Sequence, residues 1–440
     1  MTPRAVLVCL ALAASGCASI DPNNVLTRQV PSSPAPSSLD SQARAEAFDF
    51  VWTTVNERYY DPQMNGVDWN AAREKFRPLA LGAANDEQFW EELDRMTGEM
   101  KDGHTRVESP RQAALREKSA SVSFGFGVME IDGALLVNTV NPEGDAWWAG
   151  VRSGMKLASF DGKDALASLR EARKEVRNSS TPQAKERAAL RKLFQGEPGT
   201  RASMEFLRAD GTPLAVNLER KTLNLPPRIV TRRLPSGYGY VRFTEFKQGL
   251  QSDVIDAVRA QRDAPGIVID LRGNPGGSLY MVWNIASEFV ADPTVAGRTL
   301  TRTGKPITVL FNAIEIMKLE QKIDGRGAEA YKGPVVVLVD RGSASGSEML
   351  ASSLQALGRA KVVGETSCGC LLGFFGYAQV PGGGRLAYSE IGFVLSDGQR
   401  IEGVGVVPDK PVPITAVDLQ FNRDRTLEAA EALLAEMAKK

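Results

Sequence analysis

The chain has 440 residues, with 53 Lys+Arg balanced by 53 Asp+Glu. Zero formal net charge sets aside a dedicated nucleic-acid binder, which is usually basic. A hydrophobic share of 43% with 24% charged residues is that of a folded soluble protein of about two to four domains. Four cysteines are too few for a disulfide scaffold, and the single histidine, His104, excludes a multi-histidine metal centre. No metal or organic cofactor is expected.

Arg4 precedes the apolar run Ala5–Ala14, which is too short to span a bilayer as a helix. The run closes on Ala14-Ser15-Gly16-Cys17. This resembles a bacterial lipobox, with Ala14 in place of the commoner Leu. The resemblance implies a signal peptide over residues 1–16, lipidation of Cys17, and export to the periplasm. Ala18, where an Asp would retain a lipoprotein in the inner membrane, implies the outer membrane. Residues 17–42 then form the lipidated N-terminus and a Pro/Ser tether without apolar periodicity.

A helical region is expected over 43–120. Phe48, Val51, Trp52, Val55 and Tyr59 recur at helical spacing. A second helix from Asp86 places Trp90, Leu93, Met96 and Met100 on one face and runs toward Lys101-Asp102-Gly103-His104-Thr105, ending at Gly103.

Residues 121–222 read as a separate β-rich module of short strands, with a charged helical stretch over 164–195. It resembles a PDZ domain. Gly125-Phe126-Gly127-Val128 stands where such domains hold a peptide's terminal carboxylate, and Ala149-Gly150-Val151-Arg152-Ser153-Gly154 matches their helix-to-strand turn. Met155 departs from the usual Asp, and the helical insertion is long.

Over 223–415, strands such as Gly266–Arg272 and Pro334–Asp340 alternate with helical stretches, which predicts an α/β core with a mixed sheet and chemistry at the strands' carboxyl ends. A C-terminal amphipathic helix is expected over 416–440. Two Gly/Ser-rich turns leave those strands: Asp270-Leu271-Arg272-Gly273-Asn274-Pro275-Gly276-Gly277 and Gly342-Ser343-Ala344-Ser345-Gly346-Ser347-Glu348. Backbone N–H groups in such turns can hold developing negative charge. A serine at a tight strand-to-helix turn serves as a nucleophile or as a helix cap, and Glu348, three residues after Ser345, also fits a capping box.

Together with Ile401–Asp409 (IEGVGVVPD), the upstream PDZ-like module and the DGHT segment, these turns resemble the tail-specific, or C-terminal-processing, serine peptidases, over roughly residues 45–415. The resemblance implies a peptidase core of the ClpP/crotonase-like type acting on protein or peptide substrates. It makes Ser345 the nucleophile, and the N–H of Gly346 with that of Gly276 or Gly277 the oxyanion hole. The better-known branch has a lysine base 25 residues after the serine, where this chain has Cys370, and a supporting Gln where it has Phe374. The branch that includes the tricorn core protease uses histidine and glutamate, which implies His104 as base and Glu402 as its orienting acid. That branch's serine before the histidine is Gly103 here. The alternative is an inactive PDZ scaffold. For Cys368 and Cys370 three roles stand beside one another: packing, a redox-labile pair, or a thiol nucleophile. A bond between cysteines two apart is expected to be strained, and packing is preferred.

Overall fold

The run Val335–Val339 (VVVLV) is apolar on both faces, and such a strand is stable where helices cover both sides of its sheet. The computed structural model describes residues 38–119, 122–222 and 227–439. The Ala5–Ala14 run, Cys17 and the tether up to residue 37 lie outside the described residues. Val335–Val339 is an interior strand of a six-stranded sheet ordered Ile229–Arg233, Gly239–Phe243, Ile267–Asp270, Val335–Val339, Lys361–Gly364, Lys410–Pro411. All pairings are parallel except that of the edge strand Ile229–Arg233. This is the α/β core with a mixed sheet that the strand–turn–helix pattern predicts.

Alternation along the strands builds two layers. Ile267, Ile269, Val335, Val337 and Val339 share a core with helices Gln251–Arg259, Leu279–Ser287 and Gly346–Ala356. Val268, Val336, Leu338 and Val363 pack with Ala430 and Leu434 of the last helix, Arg425–Met437. Burial of each such Val, Ile or Leu side chain is worth roughly 1.5–3 kcal/mol.

The N-terminal region has helices Ser41–Arg58, Trp69–Leu81 and Asp86–Gly98, capped by Asp40, Asp68 and Asn85, whose side chains accept from Ala43, Ala71 and Gln88 N–H. The helix Trp69–Leu81 has no counterpart in the sequence reading. The helix from Asp86 stops at Gly98 rather than at Gly103, because Met100 and Lys101 turn back onto the Thr97 and Gly98 carbonyls and Lys101 takes a φ of 51°. This region does not close its core alone. Phe48, Trp90, Leu93 and Met96 pack with Leu372, Val380, Leu386 and Tyr388. The strand Arg106–Glu108 pairs antiparallel with Arg385–Ala387, which draws the adjacent His104 onto the C-terminal half.

Strands Phe126–Ile131, Ala134–Val140, Lys156–Phe160, Arg201–Leu207 and Pro213–Glu219 form a second sheet with its own core, and Phe126–Ile131 is an edge. The charged helical stretch 164–195 consists of two helices, Ala165–Glu175 and Pro182–Phe194. Thr181 caps the second through Ala184 N–H, and Pro182 sits in its first turn. A small sheet of Thr294–Leu300, Glu320–Ile323 and Gly392–Leu395 and the hairpin Ile307–Val309/Ile314–Met317 went unread in the sequence.

Candidate active site

Ile267–Asp270 and Val335–Val339 are neighbours in parallel register, so the turns that follow them emerge side by side. Side chains join the two turns. Ser343 Oγ donates to the Leu271 carbonyl at 2.8 Å and Ser347 Oγ to the Asn274 carbonyl at 2.9 Å, while the Ala344 N–H reaches the same carbonyl at 3.0 Å. The Gly273 N–H donates to Asp340 Oδ1 at 2.8 Å. Below the first turn, buried Asp270 accepts from Tyr240 at 2.6 Å and from Arg272 at 2.7 Å; despite its burial, the Arg272 guanidinium holds its carboxyl below the usual range.

Ser345 begins helix Gly346–Ala356 with φ 51° and ψ −115°. A side chain at positive φ costs roughly 1–3 kcal/mol and persists where its surroundings over-determine it. The Ser345 N–H donates to Glu348 Oε2 at 2.9 Å. Gly276, at φ 91°, lies against this turn: a β-carbon there would sit 2.4 Å from the Gly346 nitrogen and 2.8 Å from Ser345 Cβ. The Gly276 N–H is held by Asn274 Oδ1 at 2.9 Å. The Gly277 nitrogen is 3.2 Å from where a Gly346 β-carbon would be, and the Gly346 N–H is the first of its helix, with no helical carbonyl to serve. Gly277 and Gly346 thus bring two N–H groups together beside Ser345.

His104 is held by its backbone. Its N–H donates to Asp102 Oδ1 at 2.7 Å, while Asp102 Oδ2 accepts from Thr105 and Ser389 at 2.6 Å each. The ring Nδ1 is 3.8 Å from Asp102 Oδ1 and buried without a hydrogen bond among the described residues. Burial pushes the imidazole below its usual 6.5; Asp102 opposes this, and Arg106 and Arg187 add to it.

Glu402 Oε2 accepts from the Leu371 N–H at 2.5 Å and lines a cavity of about 190 Å³ with Tyr59, Asp102, Ser180 and Arg400. Burial, then the Asp102 charge, raises its carboxyl to about 8. Among the described residues no hydrogen bond joins His104 to Glu402 or to Ser345. The carboxylate beside the histidine is Asp102, which the sequence reading passed over although it stands in the same DGHT segment.

Glu348 is the other residue that reading undervalued. Fully buried, it accepts from Ser345, Ser367, Gly369 and Cys370, tying the Ser345 turn to the loop 366–370. In that loop Cys368 and Cys370 form a disulfide, which corrects both the preference for free packing thiols and the thiol-nucleophile alternative. Gly369 at φ 66° folds the chain back and brings the two Cα atoms to 5.2 Å, within ordinary disulfide range.

In the 121–222 module, Gly125 takes φ 83° and leads into the edge strand that carries Phe126, Gly127 and Val128. Phe126 packs on Phe194 and Phe206. Among the described residues no group of three His, Cys, Asp or Glu side chains is arranged to hold a metal, and no helix is long and apolar enough to cross a membrane.

Residues 237–412 match the model of peptidase family S41, and residues 40–98 match that of the tricorn protease C1 domain. The carboxyl-terminal-processing protease of Synechocystis sp. is 27% identical over 408 residues, covering 87% of this chain and 85% of that protein. The tricorn protease homolog 2 of Streptomyces coelicolor is 24% identical and covers 89% of this chain, but the match spans only 32% of that longer protein. Among solved structures, the photosystem II D1 C-terminal processing protease aligns over 89% of this chain and 97% of its own, with TM-score 0.58 and 23% identity. Mature CPAF aligns over 90% of this chain and 98% of its own, with TM-score 0.66 and 15% identity.

Proposed function

We propose that the chain is a C-terminal-processing serine peptidase of family S41 that acts on protein substrates, with Ser345, His104 and Glu402 carrying its chemistry. The observation that carries this reading is Ser345 at positive φ with the Gly277 and Gly346 N–H groups beside it. Ser345 Oγ attacks the peptide carbonyl, and those two N–H groups stabilise the oxyanion. His104 takes the hydroxyl proton and returns it to the leaving amine. Its lowered pKa supports this role, because a neutral imidazole accepts a proton at pH 7. Arg187 acts electrostatically on both His104 and Glu348, which supports a shared site. Glu402, once ionised, stabilises the imidazolium. Hydrogen bonds of this kind commonly tighten only with substrate bound.

A fluorophosphonate probe tests the assignment. It labels the wild type and not Ser345→Ala. Absence of labelling in the wild type, with the fold intact, favours the inactive scaffold, which Cys370 in place of the branch lysine also suggests.

The edge strand Phe126–Ile131 captures substrate C-termini by strand addition. Phe126→Ala then slows cleavage of a protein more than hydrolysis of a small ester; equal slowing argues against capture. Export as a lipoprotein anchored through Cys17 in the outer membrane rests on the Ala5–Cys17 segment. Cys17→Ser should release the protein from membranes, and unchanged retention counts against the anchor.

A further inference from the structure

Ser179, Ser180 and Thr181 carry consecutive hydroxyls between the helices Ala165–Glu175 and Pro182–Phe194 of the β-rich module. Local structure uses the outer two. Thr181 caps the second helix, and Ser179 Oγ donates to the Thr181 carbonyl at 2.8 Å. The half-buried Ser180 turns instead to the segment that carries the base, where the Gly103 N–H donates to its Oγ at 3.2 Å. Bonds on both sides anchor the loop there. Asn178 Nδ2 donates to Asp94 Oδ1 at 3.0 Å, Arg177 pairs with Glu91 at 2.6 Å, and the Thr181 hydroxyl donates to the Cys368 carbonyl.

On its other side Ser180 meets Glu402, and both line the cavity of about 190 Å³ behind the base. A hydroxyl has one proton and two lone pairs. With a lone pair taken by the Gly103 N–H, the Ser180 proton is left for the Glu402 carboxylate, whose charged form it favours. The Leu371 N–H favours that form too, while Asp102 and Glu348 oppose it. Tyr59, Tyr60, Lys101 and Arg400 line the same cavity. Because no hydrogen bond joins Glu402 to His104 among the described residues, the Ser180 hydroxyl is what ties the acid to the chain that bears the base. Gly103 brings no side chain of its own. It does not take a positive φ, and a β-carbon there would sit 3.7 Å from Ser180 Oγ, in ordinary contact. A hydroxyl carried by either residue can therefore reach this place.

We propose that Ser180 is a positioning residue for the catalytic acid: its hydroxyl bridges the Gly103 backbone and the Glu402 carboxylate and holds the acid against the segment that carries His104. The bridge comes from the β-rich module rather than from the peptidase core, so the placement of the acid depends on the loop between that module's two helices. The proposal rests on Ser345, His104 and Glu402 as the working set.

The test follows the rate of Ser345 labelling by a fluorophosphonate in the full chain, across the pH range in which His104 and Glu402 titrate. A hydrogen bond to a charged group is worth about tenfold to a hundredfold, so Ser180→Ala should label more slowly by that factor at neutral pH. Its alkaline rise should also move above the wild-type midpoint near pH 8, because the carboxylate has lost a donor. In Glu402→Gln the same rise should be absent rather than moved. Gly103→Ser/Ser180→Ala returns the hydroxyl from the opposite side and should regain most of the rate and the wild-type midpoint. Wild-type labelling by Ser180→Ala overturns the proposal, as does a slower rate with an unmoved midpoint, which is what a merely structural role gives. A double variant no faster than Ser180→Ala overturns the bridge as well. If Ser180→Ala melts early, the folded double variant is compared with the wild type directly, and a slow rate there counts against the bridge. The two readings separate in Glu402→Gln. Slow labelling by it beside an unaffected Ser180→Ala sinks the bridge alone, whereas wild-type labelling by Glu402→Gln sinks the assignment of Glu402 and the bridge with it.

Discussion

Glu402→Gln probes the site and its electrostatics in one variant. Burial, followed by the Asp102 charge, raises the Glu402 carboxyl from 4.5 to about 8, against the Ser180 and Leu371 hydrogen bonds that favour the charged form. The unfolded chain ionises first as pH rises. The stability tied to the protonated carboxyl is therefore complete below pH 4.5 and is lost as pH climbs through about 8. At about 1.4 kcal/mol per pKa unit the ceiling of this loss is ~5 kcal/mol. Glu402 is half-buried beside a polar cavity, and solvent screening lowers the expected figure to ~2–3 kcal/mol. Gln preserves the shape and the acceptor for Leu371 N–H but cannot ionise. Urea unfolding across this pH range should show the wild type losing ~2–3 kcal/mol that the variant keeps. Activity should move the other way. If the carboxylate stabilises the imidazolium, wild-type kcat/KM has a second rise centred near pH 8 that Glu402→Gln lacks. Parallel stability curves would refute the burial argument, and a second rise in the variant would refute the catalytic role.

Three further outcomes follow from the same geometry. His104→Ala should lower kcat/KM by about 10²–10⁴-fold and remove the acid limb of the wild-type profile, whose midpoint lies below 6.5 because burial disfavours the imidazolium; an unchanged limb would assign it to another group. Gly276→Ala should cut Ser345 labelling by about 10²–10³-fold and lower stability by about 1–3 kcal/mol, since its β-carbon would meet the Gly346 nitrogen at 2.4 Å; near-normal labelling would mean that the turns can separate. A thiol reagent should modify Cys368 and Cys370 of the folded protein only after reduction, and modification without reductant would contradict the disulfide.

What the sequence determines by itself is local. The doubly apolar strands at 267–270 and 335–339, the glycine turns after them, and the helix starts near Asp40 and Asn85 follow from periodicity and capping within a few residues. The position of Ser345 at a strand-to-helix turn is legible for the same reason. Tertiary structure decides what stands around it. His104 reaches the C-terminal half because Arg106–Glu108 pairs with Arg385–Ala387, and nothing near either segment in the chain announces that pairing. Helix Pro182–Phe194 reads only as part of a charged helical stretch, yet packing sets Ala184 against Ala344 and turns Arg187 toward Gly342. The segment from Glu365 to Asp409 contains little regular structure, and it is held largely by side-chain bonds to backbone such as Glu348 to Gly369 and Glu402 to Leu371. Contacts of that kind leave no period in the sequence, because a carboxylate can accept from any N–H that the fold brings to it.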